Sequence, residues 1–478
     1  MSSAISAPCD SGIAAAARLQ QNRYPRATLA ACILGSSLAF IDGSVINIAL
    51  PALGRALRAG PAELAWTINA YLLPLGALIL LGGSAGDHFG RRKVFLLGLA
   101  IFTTASMLCA AASTLPWLLT GRALQGVGAA LLMPNSLAIL GASFSGEKQG
   151  RAIGLWAAMG ALAGALGPLV GGWLIDLTSW RSIFVLNLPI AAAALYLAWK
   201  YVPESSDRRA SSSLDWTGAA LVTAALGSLT WALTAASESN AQMSMVGLVA
   251  AAAVALLAAF VWIEARRGPR AIMPLALFAR SSFLGLTLLT FFLYASLGGV
   301  FVLVPYLLIE IAGYSAVAAG AALLPLPIVI AAASPLMGRM TARYGGRRLL
   351  TTGAAIVTVG IGLYLRIGSA AIDYWTDVLP ATLVVAIGMG VTVAPLTATV
   401  MAAVDADHVG AASGLNSAVA RIGGLIATAL LGFVFSHQGS VDGLVASFRI
   451  AVIVGTTSAA MAAVCALVLI RASTKARR

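Results

Sequence analysis

Residues 82–95 read GGSAGDHFGRRKVF. The run LAWTINAYLLPLGALILL precedes them, and LLGLAIFTTASMLCAAA follows. One short polar stretch, with an Asp, a His, two Arg and a Lys, thus joins two apolar runs. Each run approaches the roughly 20 residues that a helix needs to cross a bilayer. A similar stretch, GRMTARYGGRRLL, returns at 338–350, so that Gly90 and Gly345 stand 255 residues apart. Two matching polar joints in an apolar chain predict a membrane protein built as a repeat.

Composition points the same way. The chain has 478 residues, 60% of them hydrophobic and 10% charged, with a mean hydropathy of +0.92. A soluble domain carries roughly 25% charged residues. The expected fold class is therefore an all-α integral membrane protein. A net charge of +13 would suggest nucleic acid on a soluble protein. Here the charges sit in short joints between apolar runs, so they report topology and no nucleic-acid partner is expected. Cys9, Cys32, Cys109 and Cys465 form no C-x-x-C pair, so packing is expected of them and no metal site. The first 27 residues lack a signal-peptide core, and the first apolar run is read as an uncleaved membrane helix.

About fourteen such runs are legible: 28–50, 64–83, 94–112, 115–140, 152–175, 182–199, 215–236, 243–263, 283–309, 316–338, 349–366, 378–404, 411–435 and 448–470. With both termini cytoplasmic, 23 of the 30 Lys and Arg fall on the cytoplasmic side. Arg55, Arg58, Arg181, Arg366 and Arg449 fall opposite, and Arg122 and Arg421 lie inside runs. That bias supports an even helix number and a multi-pass protein of the cytoplasmic (inner) membrane.

Further echoes recur in order: Pro51 and Pro305, GVGAALLMP (126–134) and GMGVTVAP (388–395), GRAIGL (150–155) and GAASGL (410–415). They predict two six-helix bundles related by a pseudo-twofold repeat, with two inserted central helices. The expected organisation is a cytoplasmic tail (1–27), a first bundle (28–200), a linker with the two extra helices (201–280), a second bundle (281–471) and a cytoplasmic tail (472–478). Such repeats mark secondary transporters, with the substrate site between the halves.

Within the opening stretch, Gly83 and Gly90 permit a tight turn and close helix ends, and Arg91, Arg92 and Lys93 hold the loop in the cytoplasm. Asp87, an acid among cations, is suited to a neighbouring Arg or to a helix amino terminus. The spacing G-x-x-x-D-x-x-G-R-R-K resembles the loop signature between helices 2 and 3 of the major facilitator superfamily. IDGSVINIALP (41–51) resembles the helix 1 signature of its fourteen-helix drug:proton antiporter branch, and TGRALQGVGAA (120–130) the superfamily's helix 4 motif. GALAGALGPLVGG (160–172) resembles the antiporter motif of helix 5, and WRSIFVLNLP (180–189) fits the same branch. The likeness is dense over the first six runs and looser after them. Ala342 stands where the second loop would carry Asp, and His88 where Arg is common.

The resemblance implies that Asp87, with Gly83, Gly90, Arg91 and Arg92, forms a switch that locks the cytoplasmic ends of the halves, meeting helix 13 near Gly410. It implies a leak-controlling seam at Gly160, Gly164, Gly167, Pro168, Gly171 and Gly172, where small residues let helices approach. Ionisable residues inside a membrane are functional candidates. Asp42 lies eight residues before Leu50 and Arg122 seven after Leu115, so both sit about 10–12 Å below the same edge at ~1.5 Å per residue. They are expected to form the proton-coupling pair, Arg122 approaching or retreating as the halves rock. Asn47, Trp66, Tyr71, Gln125, Trp156 and Arg421 are possible cavity residues. Tyr294 is another, Asn69, Asn135 and Asn416 are expected to bond between helices, and Glu310 is read as a surface residue.

These readings predict a proton-coupled exporter of small lipophilic compounds or drugs, working as a monomer with no cofactor beyond the proton gradient. Its expected partners are protons, the lipophilic substrate and the bilayer; an accessory periplasmic protein is left open. A carrier of one endogenous metabolite, in either direction, is the alternative within transporters. A membrane enzyme is disfavoured because Walker and H-E-x-x-H motifs are missing. A non-transporting sensor is disfavoured by the repeat.

Overall fold

A computed structural model of the chain describes residues 24–206, 215–236, 241–268, 273, 275–368, 372–404, 409–435 and 441–471. Among them, fourteen helices are long and apolar enough to span a bilayer. They are α1 Pro25–Leu57, α2 Glu63–Phe89, α3 Arg91–Ala110, α4 Leu115–Ser143, α5 Lys148–Leu177, α6 Ser182–Tyr201 and α7 Trp216–Ala235. Then follow α8 Met243–Arg267, α9 Ser281–Glu310, α10 Ala316–Thr341, α11 Gly346–Arg366, α12 Tyr374–Ala402, α13 Ala412–Leu431 and α14 Asp442–Leu469. A bilayer offers backbone amides no water, so a chain this apolar satisfies them within helices.

Two expectations at helix ends need correction. The stretch 82–95 is a loop over only one residue: α2 runs on through Phe89, Gly90 alone breaks the helix at φ +107°, and α3 begins at Arg91. Gly345 does the same at φ +80°. Both angles are ones that L side chains rarely adopt. Pro51 does not end the first helix, which continues to Leu57. A proline inside a helix removes one hydrogen bond, and neighbouring helices make this tolerable within a membrane.

The repeat is visible in the packing itself. In the first half α1 packs on α5 and α6, α4 on α2 and α3, and α3 on α6. The second half makes the equivalent pairs, α9 on α13 and α14, α12 on α10 and α11, and α11 on α14. The halves meet along three seams, α1 with α9, α2 with α13, and α5 with α10. Under a twofold axis the first pairs equivalent helices and the other two exchange. α7 lies on α2 and α13, and α8 packs chiefly on α7, which puts the inserted pair beside the bundles and outside the seam they enclose. The end bearing Gly90 and Gly345 is called the basic end below, and the opposite one the far end.

Candidate functional site

α1 brings Asp42, α4 Arg122 and Gln125, α3 Ser106 and α6 Asn187 to one point, every one of them fully buried. Arg122 Nη1 donates to Asp42 Oδ2 in an ion pair and to Gln125 Oε1 at 2.9 Å. Its Nε donates to the Thr67 carbonyl of α2 at 3.0 Å. Gln125 Nε2 donates to Asp42 Oδ1 at 3.0 Å and to Ser106 Oγ at 2.9 Å. Asn187 Nδ2 donates to Asp42 Oδ1 at 3.4 Å and to Ser106 Oγ at 3.3 Å. The guanidinium carbon lies 4.5 Å from the Tyr71 ring centroid, and Nη2 is buried without a hydrogen-bond partner.

Matching depth thus became direct contact, but the arrangement corrects the expected motion. Asp42, Arg122 and all their partners belong to α1–α6, so rocking of one half against the other does not part the pair. A second correction concerns the cavity residues. Gln125 and Tyr71 are walls of this closed site; the Tyr71 hydroxyl donates to the Ala39 carbonyl at 3.1 Å. Trp156 packs edge-on against Phe40 and donates to Ser36 Oγ at 2.9 Å, which makes it part of the α1–α5 contact. Trp66 and Asn47 are half-buried on α2 and α1, and Asn47 Oδ1 is buried without a partner. Asn69 and Asn416 do bond between helices, to Thr428 and Thr290. Asn135 Nδ2 likewise donates across to the Gly82 carbonyl of α2 at 2.8 Å.

The helix 5 motif faces two ways. On one side, Gly160, Gly167 and Gly171 meet Phe40, Ser44 and Val45 of α1; Gly164 sits by the Phe40 carbonyl, 3.8 Å from where its Cβ would stand. On the other side α5 crosses to the second half. A Cβ at Gly172 would stand 2.5 Å from the Ala316 carbonyl oxygen, and one at Gly320 2.5 Å from the Pro168 carbonyl oxygen. Asp176, one turn past Gly172, accepts the Ala316 and Val317 amides at 3.2 and 3.0 Å. Glu310 of α9 is exposed, as expected of a surface residue, and from there it pairs with Arg55 of α1 at 2.9 Å. Their spacing equals the 255-residue repeat, as expected where a twofold axis brings equivalent positions together. The far end is closed by these contacts. At the basic end of α5, Gly150 and Gly154 have nothing within 4 Å of an added Cβ.

At the basic turn, Arg91 binds Asp87 across Gly90, with Nη2 at 2.7 Å and Nε at 2.8 Å. The expected partner of Asp87, the start of α13 near Gly410, lies outside the described side chains, as does Ala342. Glu204, beyond α6, accepts the Arg92 and Lys93 amides at 3.0 and 3.2 Å and so caps α3. Arg92 donates to the Trp199 carbonyl. Gly83 approaches Pro134 of α4, 3.4 Å from an added Cβ.

Ser106, Asn187, Asp176 and Glu204 escaped the sequence reading. Asn187 lies in WRSIFVLNLP and Asp176 just past GPLVGG. A polar residue within or just past a recognised motif was the available signal for both.

A repeated fourteen-helix bundle, with a buried charge network in one half and glycine-lined seams between halves, has the build of a membrane carrier. The chain belongs to the Major Facilitator Superfamily, whose profile it matches over residues 32–428 and 286–478, and is thus a transporter and not an enzyme. It is 33% identical over 421 residues to the multidrug resistance protein Stp of Mycobacterium tuberculosis, covering 87% of this chain and 76% of that one. It is 34% identical over 403 residues to the methylenomycin A resistance protein of Bacillus subtilis, covering 84% and 85%. It is 33% identical over 456 residues to the puromycin resistance protein pur8 of Streptomyces alboniger, covering 92% and 90%. In fold it is similar to a D-xylose-proton symporter, with a TM-score of 0.68 at 14% identity over 94% of this chain and 99% of that one.

Proposed function

We propose that the protein exports small lipophilic compounds, antibiotics among them, across the cytoplasmic membrane in exchange for protons, by alternating access, as a monomer without a cofactor. The basic end is cytoplasmic by the positive-inside rule, so the closed far end faces outward. The observation that carries proton coupling is the sealed Asp42–Arg122 network. Neutralising one member of a buried ion pair strands the other, at a cost of ~3–5 kcal/mol. Proton uptake at Asp42 therefore goes with a conformation that wets the site or gives Arg122 another partner. Because both residues share a half, hydration or local movement of α1 is the lever. One proton crossing ~100 mV yields about 2.3 kcal/mol, and ~1 pH unit adds about 1.4 kcal/mol. Together they hold a neutral substrate at a gradient of roughly 500-fold.

The test is a compound panel on inverted vesicles, reading proton release optically. Release on adding lipophilic antibiotics is expected; transport without proton movement would overturn the coupling, and a response to one metabolite alone would favour the narrower carrier.

The basic turn gives a second prediction. Asp87→Asn removes a half-exposed pair worth at most ~1 kcal/mol, so insertion and thermal stability stay near native. Transport is expected to fall at least ~10-fold, equivalent to a switch contact of about 1.4 kcal/mol. A native rate would show that the Asp87 carboxylate takes no part in switching.

A further inference from the structure

Arg421 stands midway along α13, and among the described residues it pairs with no acid. Its Cβ side lies against Gly76 of α2, whose added Cβ would meet it at 3.4 Å. Its Nη2 reaches Met133 Sδ of α4 at 3.7 Å, and two residues on, an added Cβ at Gly423 would stand 2.6 Å from the Phe291 carbonyl oxygen of α9. Its surroundings thus come from α2 and α4 of the first half and α9 of the second. They belong to the interface between the halves and not to the lipid-facing surface. The residue is nevertheless only half-buried. This is the opposite of Arg122, which is sealed, ion-paired and bonded to a carbonyl. A guanidinium inside a membrane is costly, and such residues pair or mark a ligand path. A thioether is a weak acceptor, so most of the five donors of Arg421 remain available.

We propose that Arg421 is a specificity-determining residue that binds an oxygen anion on the transported compound. The favoured substrates are then aromatic or alicyclic bodies bearing a carboxylate, phenolate or similar acid. Met133 contacts the apolar part, while the planar fork takes the two oxygens. This rests on the export reading above for the meaning of the site, but its test is equilibrium binding, which requires neither a proton gradient nor transport.

The probes are 2-naphthoate, its neutral amide and 2-naphthylmethylammonium, titrated against the purified full chain by intrinsic tryptophan fluorescence. A charge-assisted bond of ~1.5–3 kcal/mol gives the carboxylate a preference over the amide of about 10- to 150-fold. Arg421→Gln is expected to erase that preference while amide affinity stays within about threefold. Arg421→Lys is expected to keep part of it, and a native melting temperature confirms the fold of both variants. The proposal is overturned if the native chain binds the amide or the ammonium as tightly as the carboxylate. It is equally overturned if Arg421→Gln keeps the preference, or if no probe binds. Proton release by the same vesicles, measured separately, reports on the antiport reading alone. Carboxylate selectivity without proton movement would therefore sink antiport and leave Arg421 standing.

Discussion

Asp42→Asn is expected to abolish uphill export, bringing the steady-state substrate gradient from roughly 500-fold towards unity. Asn is nearly isosteric with Asp and keeps one acceptor for Gln125 and Asn187, which bond Asp42 at 3.0 and 3.4 Å. What it cannot do is carry the proton or balance Arg122. The stranded guanidinium destabilises the first half by ~3–5 kcal/mol, so the single variant alone could lose activity through misfolding. Asp42→Asn combined with Arg122→Gln removes both charges and resolves this. The double variant should insert, bind substrate and exchange it downhill, yet show no pH-driven accumulation. Arg122→Lys should retain part of the coupling, because an ammonium can still meet Asp42. It loses the Nε bond to the Thr67 carbonyl and the stacking over Tyr71. The measurement is substrate-induced proton release in vesicles under an imposed pH gradient, and full coupling by Asp42→Asn would remove this residue from the mechanism.

The second large effect belongs to the far seam. Gly172→Val puts a side chain where a Cβ already comes within 2.5 Å of the Ala316 carbonyl carbon and oxygen. Backbone atoms cannot rotate away, so the clash is relieved chiefly by parting α5 from α10. Overpacking of this kind costs ~1–3 kcal/mol, which shifts the far-closed population by about 5- to 150-fold. Transport should fall by a similar factor, and labels at the far ends of α5 and α10 should report a longer separation. Gly247→Val on α8, where an added Cβ meets nothing within 4 Å, is the control that should behave as native. Native transport and an unchanged label distance in Gly172→Val would show that this contact is not the outer gate.

The class of the molecule was legible in the sequence because a membrane imposes simple rules. Apolar runs must be long enough to cross it, their backbones must be helical, and basic joints sort to one end. Fourteen spans and a two-part repeat followed from run lengths, the Gly90–Gly345 spacing and the recurring prolines. Asp42 and Arg122 were legible for the same reason: a charge in lipid is rare enough to stand out, and counting residues along two helices gave their depth. Helix ends were less so, since Pro51 reads as a terminator until neighbouring helices are there to shelter its missing bond.

Only the tertiary structure decided which helices share a rigid body. Depth along a helix says nothing of rotation about its axis or of which neighbours enclose it. The confinement of Asp42, Arg122, Gln125, Ser106 and Asn187 to one half, and hence the loss of a rocking ion pair, could not be read from spacing. Long-range pairs such as Arg55 with Glu310 and Asp176 with the Ala316 amide arise from the packing of the two halves. Along the chain each of these polar groups is an ordinary helix-end residue; packing alone brings them together across the two halves.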